Sequence, residues 1–81
     1  MKIKLLYFAQ LKDVAGVDEQ TLEICGPVTV KDFAREFLSQ PLFQRVKDLK
    51  FLYAVNGEFT EPDHLLEDQS TLAILPPVAG G

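Results

Sequence analysis

Hydrophobic and polar residues alternate along the first ten positions of the chain, which predicts a β-strand over residues 2–10. Ile3, Leu5 and Tyr7 share one face of this strand, and we expect that face to pack in the core. The opposite face begins with lysines and then becomes apolar, in the order Lys2, Lys4, Leu6 and Phe8. The strand is therefore predicted to have one apolar face and one face that is only partly polar.

A second alternating segment, Gln20–Ile24, predicts another strand with Leu22 and Ile24 turned inward. A turn at Ala15-Gly16 would join it to the first strand as a β-hairpin. The dipeptide Gly26-Pro27 ends this strand, because proline cannot donate a backbone hydrogen bond to a neighbouring strand.

The segment after this break predicts an amphipathic helix. Thr29 is a good N-cap, and Asp32, three residues later, resembles the acidic partner of a capping box. Apolar residues then follow at the i, i+3, i+4, i+7, i+8 spacing of one helix face, namely Val30, Phe33, Ala34, Phe37 and Leu38. Pro41 prevents the helix from continuing, and a short helical turn is expected over residues 42–46.

The second half of the chain predicts shorter elements. A strand over residues 51–55 and the dipeptide Asn56-Gly57 predict a tight hairpin with a short return strand over residues 58–60. The remaining elements are, in order, a turn at Pro62-Asp63-His64, one helical turn at Leu65-Leu66 and a final strand over residues 71–75 with Leu72 and Ile74 inward.

The predicted order β-β-α-β-(β)-β favours an α+β fold with one main helix on one face of a mixed sheet. The most economical arrangement places the first and last strands side by side and parallel in the centre, with the long intervening segment as the crossover. This is the β-grasp, or ubiquitin-like, architecture. We expect one domain over residues 1–75 and an extended tail over residues 76–81.

Composition and net charge narrow the range of possible functions. The 81 residues carry a net charge of -4, which disfavours sequence-independent binding to nucleic acid and binding to anionic membranes. The single cysteine, Cys25, allows no intramolecular disulfide, and the N-terminus lacks the pattern of a signal peptide. We therefore expect a cytoplasmic protein.

Candidate catalytic groups are few. The single histidine, His64, cannot form a metal site alone, and we expect it to be a turn residue. No base for Cys25 is evident, so we expect this residue to be a small buried or half-buried side chain. Two clusters of candidate residues have simpler structural explanations. We expect a solvated loop for the acidic cluster, which comprises Glu61, Asp63, Glu67 and Asp68. We expect a place in the core for the aromatic cluster, which comprises Phe33, Phe37 and Phe43. The sequence therefore predicts no metal, no bound cofactor and no active site of its own.

The C-terminal tail is the most unusual segment. Pro76-Pro77 favours an extended chain that leaves the sheet, and residues 76–81 can reach about 20 Å. Gly80 and Gly81 have no side chains, so they can enter a narrow site and leave the carboxylate of Gly81 accessible. Activation by another enzyme, for example as an acyl-adenylate formed from ATP, would make this carboxyl reactive. The simpler alternative is a frayed chain end.

An apolar patch is expected at the base of this tail. If the first and last strands are parallel neighbours, Phe8 and Leu75 lie at the same end of the sheet, in the outward phase with Leu6 and Ala73. Exposed apolar patches on small domains usually mark binding sites. The alternative is that residues 41–49 fold over this patch.

These residues resemble a known family. Phe8-Ala9-Gln10, Thr29-Val30, Ala54-Val55-Asn56 and the ending Pro76-Pro77-Val78-Ala79-Gly80-Gly81 are similar to the small subunit of molybdopterin synthase, over essentially the whole chain. Asp68-Gln69-Ser70 departs from the Asp-Gly-Asp often found before the last strand of that family, which concerns only a turn.

The resemblance implies a ubiquitin-like sulfur carrier. Gly81 would be adenylated by an ATP-using enzyme that resembles the ubiquitin-activating class, and then converted to a thiocarboxylate. The tail would enter the large synthase subunit and pass sulfur to a pterin precursor, in a heterotetramer of two small and two large subunits. The chain itself would bind no cofactor. The residues implied in contact with the partner are Phe8, Phe59, Leu75, Pro76, Pro77, Val78 and Ala79, with Gly80 providing flexibility.

Three alternatives remain open at this point. The first is a sulfur carrier for another pathway, such as thiazole synthesis or tRNA thiolation. The second is a protein modifier conjugated to lysines through the same activated carboxyl. The third is a non-covalent β-grasp interaction module in which Gly80-Gly81 is incidental.

Overall fold

The computed structural model describes residues 1–76 of the chain. Within these residues the elements are β1 (Lys2–Tyr7), α1 (Ala9–Ala15), β2 (Glu19–Glu23), β3 (Val28–Thr29), α2 (Val30–Phe37), a 3₁₀ turn (Pro41–Phe43), β4 (Leu52–Val55), β5 (Glu58–Phe59), β6 (Leu65–Leu66) and β7 (Thr71–Leu75). Residues 77–81 lie outside the described residues, so the extended tail stays a prediction.

The main sheet has the strand order β2-β1-β7-β4-β5. Its central strands β1 and β7 are parallel, with Leu5 opposite Leu72 and Tyr7 opposite Ile74. The other pairs in this sheet are antiparallel. Parallel central strands require a long crossover, and residues 8–70 supply it. The predicted β-grasp arrangement is therefore confirmed.

The core lies between one face of this sheet and helix α2. Thr29 caps the helix as predicted, since its hydroxyl oxygen accepts a hydrogen bond from the Asp32 amide at 3.1 Å. Phe37 stacks against Phe33 and packs at a tilt against Phe43, with ring centroids 5.6 and 5.0 Å apart. Tyr7 extends this aromatic cluster from the sheet, 6.2 Å from Phe37. These phenylalanines are core residues, as the sequence predicted.

Strands β1 and β2 pair antiparallel as predicted, but the length of the first strand and its connection to β2 require a correction. Strand β1 ends at Tyr7, and helix α1 occupies residues 9–15 in place of a simple connection to β2. The physical reason is burial, because Leu11 is completely buried in the core and the half-buried Val14 and Ala15 lie three and four residues further along the same helix face. Gly16 ends the helix in the left-handed conformation, with a φ of 78°.

A second correction concerns Leu65-Leu66, which forms strand β6 and not a helical turn. It pairs antiparallel with β3, a strand the sequence did not predict. This pairing buries Leu66. It also carries the chain past the start of α2, where the carbonyl of His64 accepts a hydrogen bond from the Val30 amide at 2.9 Å. The start of helix α2 and the small sheet formed by β3 and β6 therefore stabilise each other.

Candidate functional site

Helix α2 covers one face of the main sheet, and the opposite face carries the candidate site. Strand register places one residue from each of four strands in a row across this outer face. Leu6 lies opposite Ala73, Ala73 lies opposite Ala54, and Ala54 lies opposite Phe59. All four side chains are apolar, and Phe59 is 73% exposed.

A second apolar row lies nearer the end of β7. Leu75 is opposite Leu52, which is 44% exposed. Phe8 follows β1 with extended backbone angles, so the alternation of the strand continues and its side chain lies on the same side as Leu6. We call the two rows together the outer patch, and its residues are Leu6, Phe8, Leu52, Ala54, Phe59, Ala73 and Leu75.

The segment 41–49 does not cover the outer patch. Phe43 packs against Phe37 of helix α2 with its ring tilted, and Val46 is buried in the core cluster. Both contacts place the segment on the helical face of the sheet. The alternative in which this segment folds over the patch is therefore wrong, and the predicted exposure of Phe8, at 41%, is confirmed.

Charged residues border the outer patch on the β2 side. Lys2 and Glu23 are 4.0 Å apart across β1 and β2, and Lys4 and Glu19 are 3.5 Å apart. Such exposed ion pairs contribute little to stability, commonly about 0–1 kcal/mol. Their effect is to place a polar rim beside an apolar centre, which is the usual arrangement of a protein interface.

The outer patch adjoins the point where the tail begins. Leu75 is the last residue of β7, and Pro76 follows it as the last described residue. The predicted roles of Pro77, Val78, Ala79, Gly80 and Gly81 concern residues outside the described part of the chain. The structure thus brings Phe8, Phe59 and Leu75 together on one face, and it places the start of the tail beside them.

The other candidate groups form no site. Across residues 1–76, no cluster of three or more His, Cys, Asp or Glu side chains is arranged to hold a metal ion. Asp68 has a structural role, since its carboxylate accepts a hydrogen bond from the Lys2 amide at 2.8 Å, and this bond lowers the pKa of Asp68. Cys25 is exposed, which corrects the expectation of a buried or half-buried residue. None of the described helices is long and apolar enough to cross a membrane.

Sequence reasoning missed two members of the outer patch, Leu52 and Ala54. The signal for them was available, because they alternate with Tyr53 and Val55 along β4 and therefore occupy its outward phase. Recognising them required knowing that β4 lies next to β7, which depends on the sheet order and not on local pattern.

A central parallel strand pair, a helix that covers one face of the sheet and an exposed apolar face beside the C-terminal strand define a ubiquitin-like, β-grasp protein. The sequence pattern of the ThiS family matches residues 5–81. The chain belongs to the ThiS family.

Two relatives of similar length carry the same name. A molybdopterin synthase sulfur carrier subunit from Chlamydomonas reinhardtii is 36% identical, with all of both chains covered. The subunit of the same name from Escherichia coli (strain K12) is 35% identical, over 98% of this chain and 99% of the relative. The resemblance to the small subunit of molybdopterin synthase is thus confirmed.

Solved structures agree with the fold. A putative molybdopterin converting factor, subunit 1, from Pyrococcus furiosus has a TM-score of 0.80 at 28% identity, over 96% of this chain and 99% of that one. The small archaeal modifier protein 1 from Methanosarcina acetivorans has a TM-score of 0.71 at 26% identity, over 99% and 96% of the two chains. A chain from a complex of subunits 1 and 2 of molybdopterin-converting factor from Helicobacter pylori, at 17% identity and a TM-score of 0.69, has the same fold.

Proposed function

We propose that this protein is the sulfur carrier subunit of molybdopterin synthase and acts in molybdenum cofactor biosynthesis. It is a non-catalytic subunit that delivers sulfur to a pterin precursor held by the large synthase subunit. Two small and two large subunits form the complete transferase. The names of the full-length relatives support this assignment, and the cytoplasmic location expected from the sequence stays a prediction.

The chemistry takes place at the Gly81 carboxyl. An ATP-dependent adenylyltransferase joins this carboxyl to AMP and releases pyrophosphate. A sulfur donor then displaces AMP and leaves a thiocarboxylate. The carrier binds no cofactor in this scheme, and ATP is bound by the activating enzyme. The match of the family pattern through Gly81 supports this role for the terminal residue.

The outer patch beside the start of the tail is the observation that carries the proposal. An apolar surface next to the end of β7 can fix the orientation of the domain on the large subunit. The tail, with Pro76, Pro77, Val78 and Ala79 as contact residues and Gly80 as a flexible link, then extends from a defined point into the partner. Docking and delivery are thereby separate tasks of adjacent parts of one chain.

Charge substitution in the outer patch tests the docking role. Phe59→Asp is expected to weaken binding to the purified large subunit by roughly 30-fold, as burial of an aromatic interface residue is commonly worth about 2 kcal/mol. Leu65→Asp is the matched control, because Leu65 is also an exposed apolar strand residue, 54% exposed, but it lies in the small sheet. Titration calorimetry measures both affinities. Equal affinities for Phe59→Asp and the unsubstituted protein would overturn the docking role.

Mass spectrometry tests the chemical role. The protein is incubated with the adenylyltransferase, ATP and a sulfur donor, and its C-terminal peptide is analysed. The expected product has one oxygen replaced by sulfur at Gly81. A variant with one residue appended after Gly81 serves as the control and should remain unmodified. An unmodified carboxylate in the complete mixture would count against the carrier and favour a non-covalent interaction module.

Protein conjugation is a second candidate function, favoured by the likeness to the small archaeal modifier protein 1 from Methanosarcina acetivorans. The same activated Gly81 would then form an amide with a lysine of a target protein. Peptides in which Gly81 is joined to a lysine side chain would establish this use, and they are sought in the reaction without a sulfur donor.

A further inference from the structure

Strand β2 is an edge of the main sheet, and its outward backbone groups are free within the described residues. Two hydrogen bonds fix the pairing pattern at its ends, from the Ile24 amide to the Met1 carbonyl at 2.8 Å and from the Tyr7 amide to the Asp18 carbonyl at 2.9 Å. Hydrogen-bonded and non-hydrogen-bonded pairs alternate along antiparallel strands. The amide and carbonyl groups of Glu19, Thr21 and Glu23 therefore point away from β1.

An apolar groove of about 1020 Å³ lies beside this edge, on the helical face of the sheet. We call it the edge groove. Its apolar walls come from β2, from helix α2 and from the 3₁₀ turn, with Leu22, Phe33, Phe37 and Leu42 among the residues that line it. An extended segment added to the sheet at β2 would direct alternate side chains into this groove.

The charged residues around β2 indicate the chemistry of the remaining side chains of such a segment, those that do not enter the edge groove. On the outer face, an added strand would place them beside Glu19 and Glu23, whose side chains are 54% and 73% exposed and whose present partners, Lys4 and Lys2, lie on the other side of β2, in β1. Opposite charges across neighbouring strands are favourable, and like charges are unfavourable. Among the described residues that line the edge groove none is Lys or Arg, while Glu36 stands on its helix wall. The edge therefore favours a basic strand.

The same charges disfavour a second copy of this chain as the occupant. If two β2 strands paired antiparallel about Thr21, Glu19 of one copy would lie opposite Glu23 of the other, twice. Repulsion between carboxylates at both positions would oppose that pairing. Acidic residues on an exposed edge commonly protect a sheet against self-association in this way.

We propose that β2 and the edge groove bind an extended segment of a partner protein in which apolar residues alternate with Lys or Arg. The segment adds a sixth strand to the five-stranded sheet. Its apolar side chains enter the edge groove, and its basic side chains pair with Glu19 and Glu23. The edge groove lies on the helical side of the sheet, whereas Glu19 and Glu23 lie on the outer side, where they border the outer patch.

A designed peptide tests the proposal without ATP or the large subunit, so its failure is distinguishable from failure of the proposed function. The probe is an acetylated, amidated hexapeptide of alternating lysine and valine, and the control probe alternates glutamate and valine. Amide hydrogen exchange is followed by NMR on the whole chain. With about nine-tenths of the protein bound, exchange at Glu19, Thr21 and Glu23 should slow about tenfold. No protection there, or equal protection by the acidic probe, would overturn the proposal.

Two variants sharpen the test. Thr21→Pro removes an outward amide but no hydrogen bond to β1, and edge strands accept proline at such positions. We expect it to lose peptide binding, whereas Thr21→Val retains it. Replacing both Glu19 and Glu23 by Lys should reverse the preference, so that the acidic probe binds more tightly than the basic one. An unchanged preference in this folded double variant would also overturn the proposal.

Discussion

Gln69 occupies a backbone conformation that suits glycine. Its φ is 69°, in the left-handed region, where a side chain other than glycine costs about 1–2 kcal/mol. The surrounding turn cannot relax easily. The Gln69 amide donates a hydrogen bond to the Lys2 carbonyl at 2.7 Å, and the Ser70 amide donates one to the Glu67 carbonyl at 3.1 Å. The strain is therefore held in place by the contact between this turn and the start of β1.

Gln69→Gly should therefore stabilise the protein. Relief of about 1–2 kcal/mol is partly offset by the greater backbone freedom of glycine in the unfolded chain, which costs about 0.5–1 kcal/mol. The expected net gain in the free energy of unfolding is about 0.5–1 kcal/mol. For a domain of this size, that corresponds to a rise in Tm of roughly 2–8 °C. The side chain of Gln69 is exposed, and the contact that glycine would lose is its hydrogen bond to the Asp68 carboxylate at the surface.

Gln44→Gly is a matched control, because Gln44 is also exposed but has a φ of -52°. Here glycine relieves no strain, so the free energy of unfolding should fall by about 0.5–1 kcal/mol. Urea denaturation and thermal unfolding measure both variants against the unsubstituted protein. If Gln69→Gly is no more stable than Gln44→Gly, the left-handed turn does not store strain and the reasoning fails.

Three further predictions rest on single contacts. Asn56→Ala should destabilise the domain by about 2 kcal/mol, measured by urea denaturation, because Asn56 has a φ of 51° and its side-chain oxygen accepts a hydrogen bond from the Thr71 amide at 2.9 Å. Hydrogen bonding to the Lys2 amide lowers the pKa of Asp68 in the folded protein. The stabilisation that the ionised Asp68 carboxylate provides is therefore present above about pH 3.9, and it is lost as the pH falls through the lower pKa of the folded state. The stability gap between the unsubstituted protein and Asp68→Asn should accordingly close in acid, and a constant gap would contradict this. Cys25→Ser should keep full sulfur transfer in a synthase assay, since the thiol is exposed and has no assigned part in the chemistry.

Elements with strong local signals were predictable from the sequence. The capping residue Thr29 and the regular apolar spacing after it identified helix α2, and Asn56-Gly57 identified the hairpin between β4 and β5. The inward residues of β1 and β7 followed from alternation alone, and their parallel pairing followed from the need for one economical crossover. In these cases, short-range pattern and tertiary structure agree.

The missed elements depend on partners distant in sequence. Residues 65 and 66 form a strand because Val28–Thr29 lies beside them, and a two-residue strand has no pattern of its own. Helix α1 has only seven residues, and the alternating apolar residues before it extended the predicted strand to residue 10. Leu52 and Ala54 joined the outer patch only once β4 was placed next to β7. Each failure reflects a tertiary contact that no local window contains.

In the proposed function, the parallel pairing of β1 and β7 places docking and delivery at one end of the molecule. Parallel strands end at the same edge of a sheet, so the pairing places Phe8, which follows β1, near Leu75, which ends β7. Pro76, the first residue of the tail, therefore follows β7 beside the outer patch. Had these strands been antiparallel, Phe8 and Leu75 would lie at opposite ends of the sheet, about 17–20 Å apart for strands of this length. Partner binding would then not fix where the tail begins.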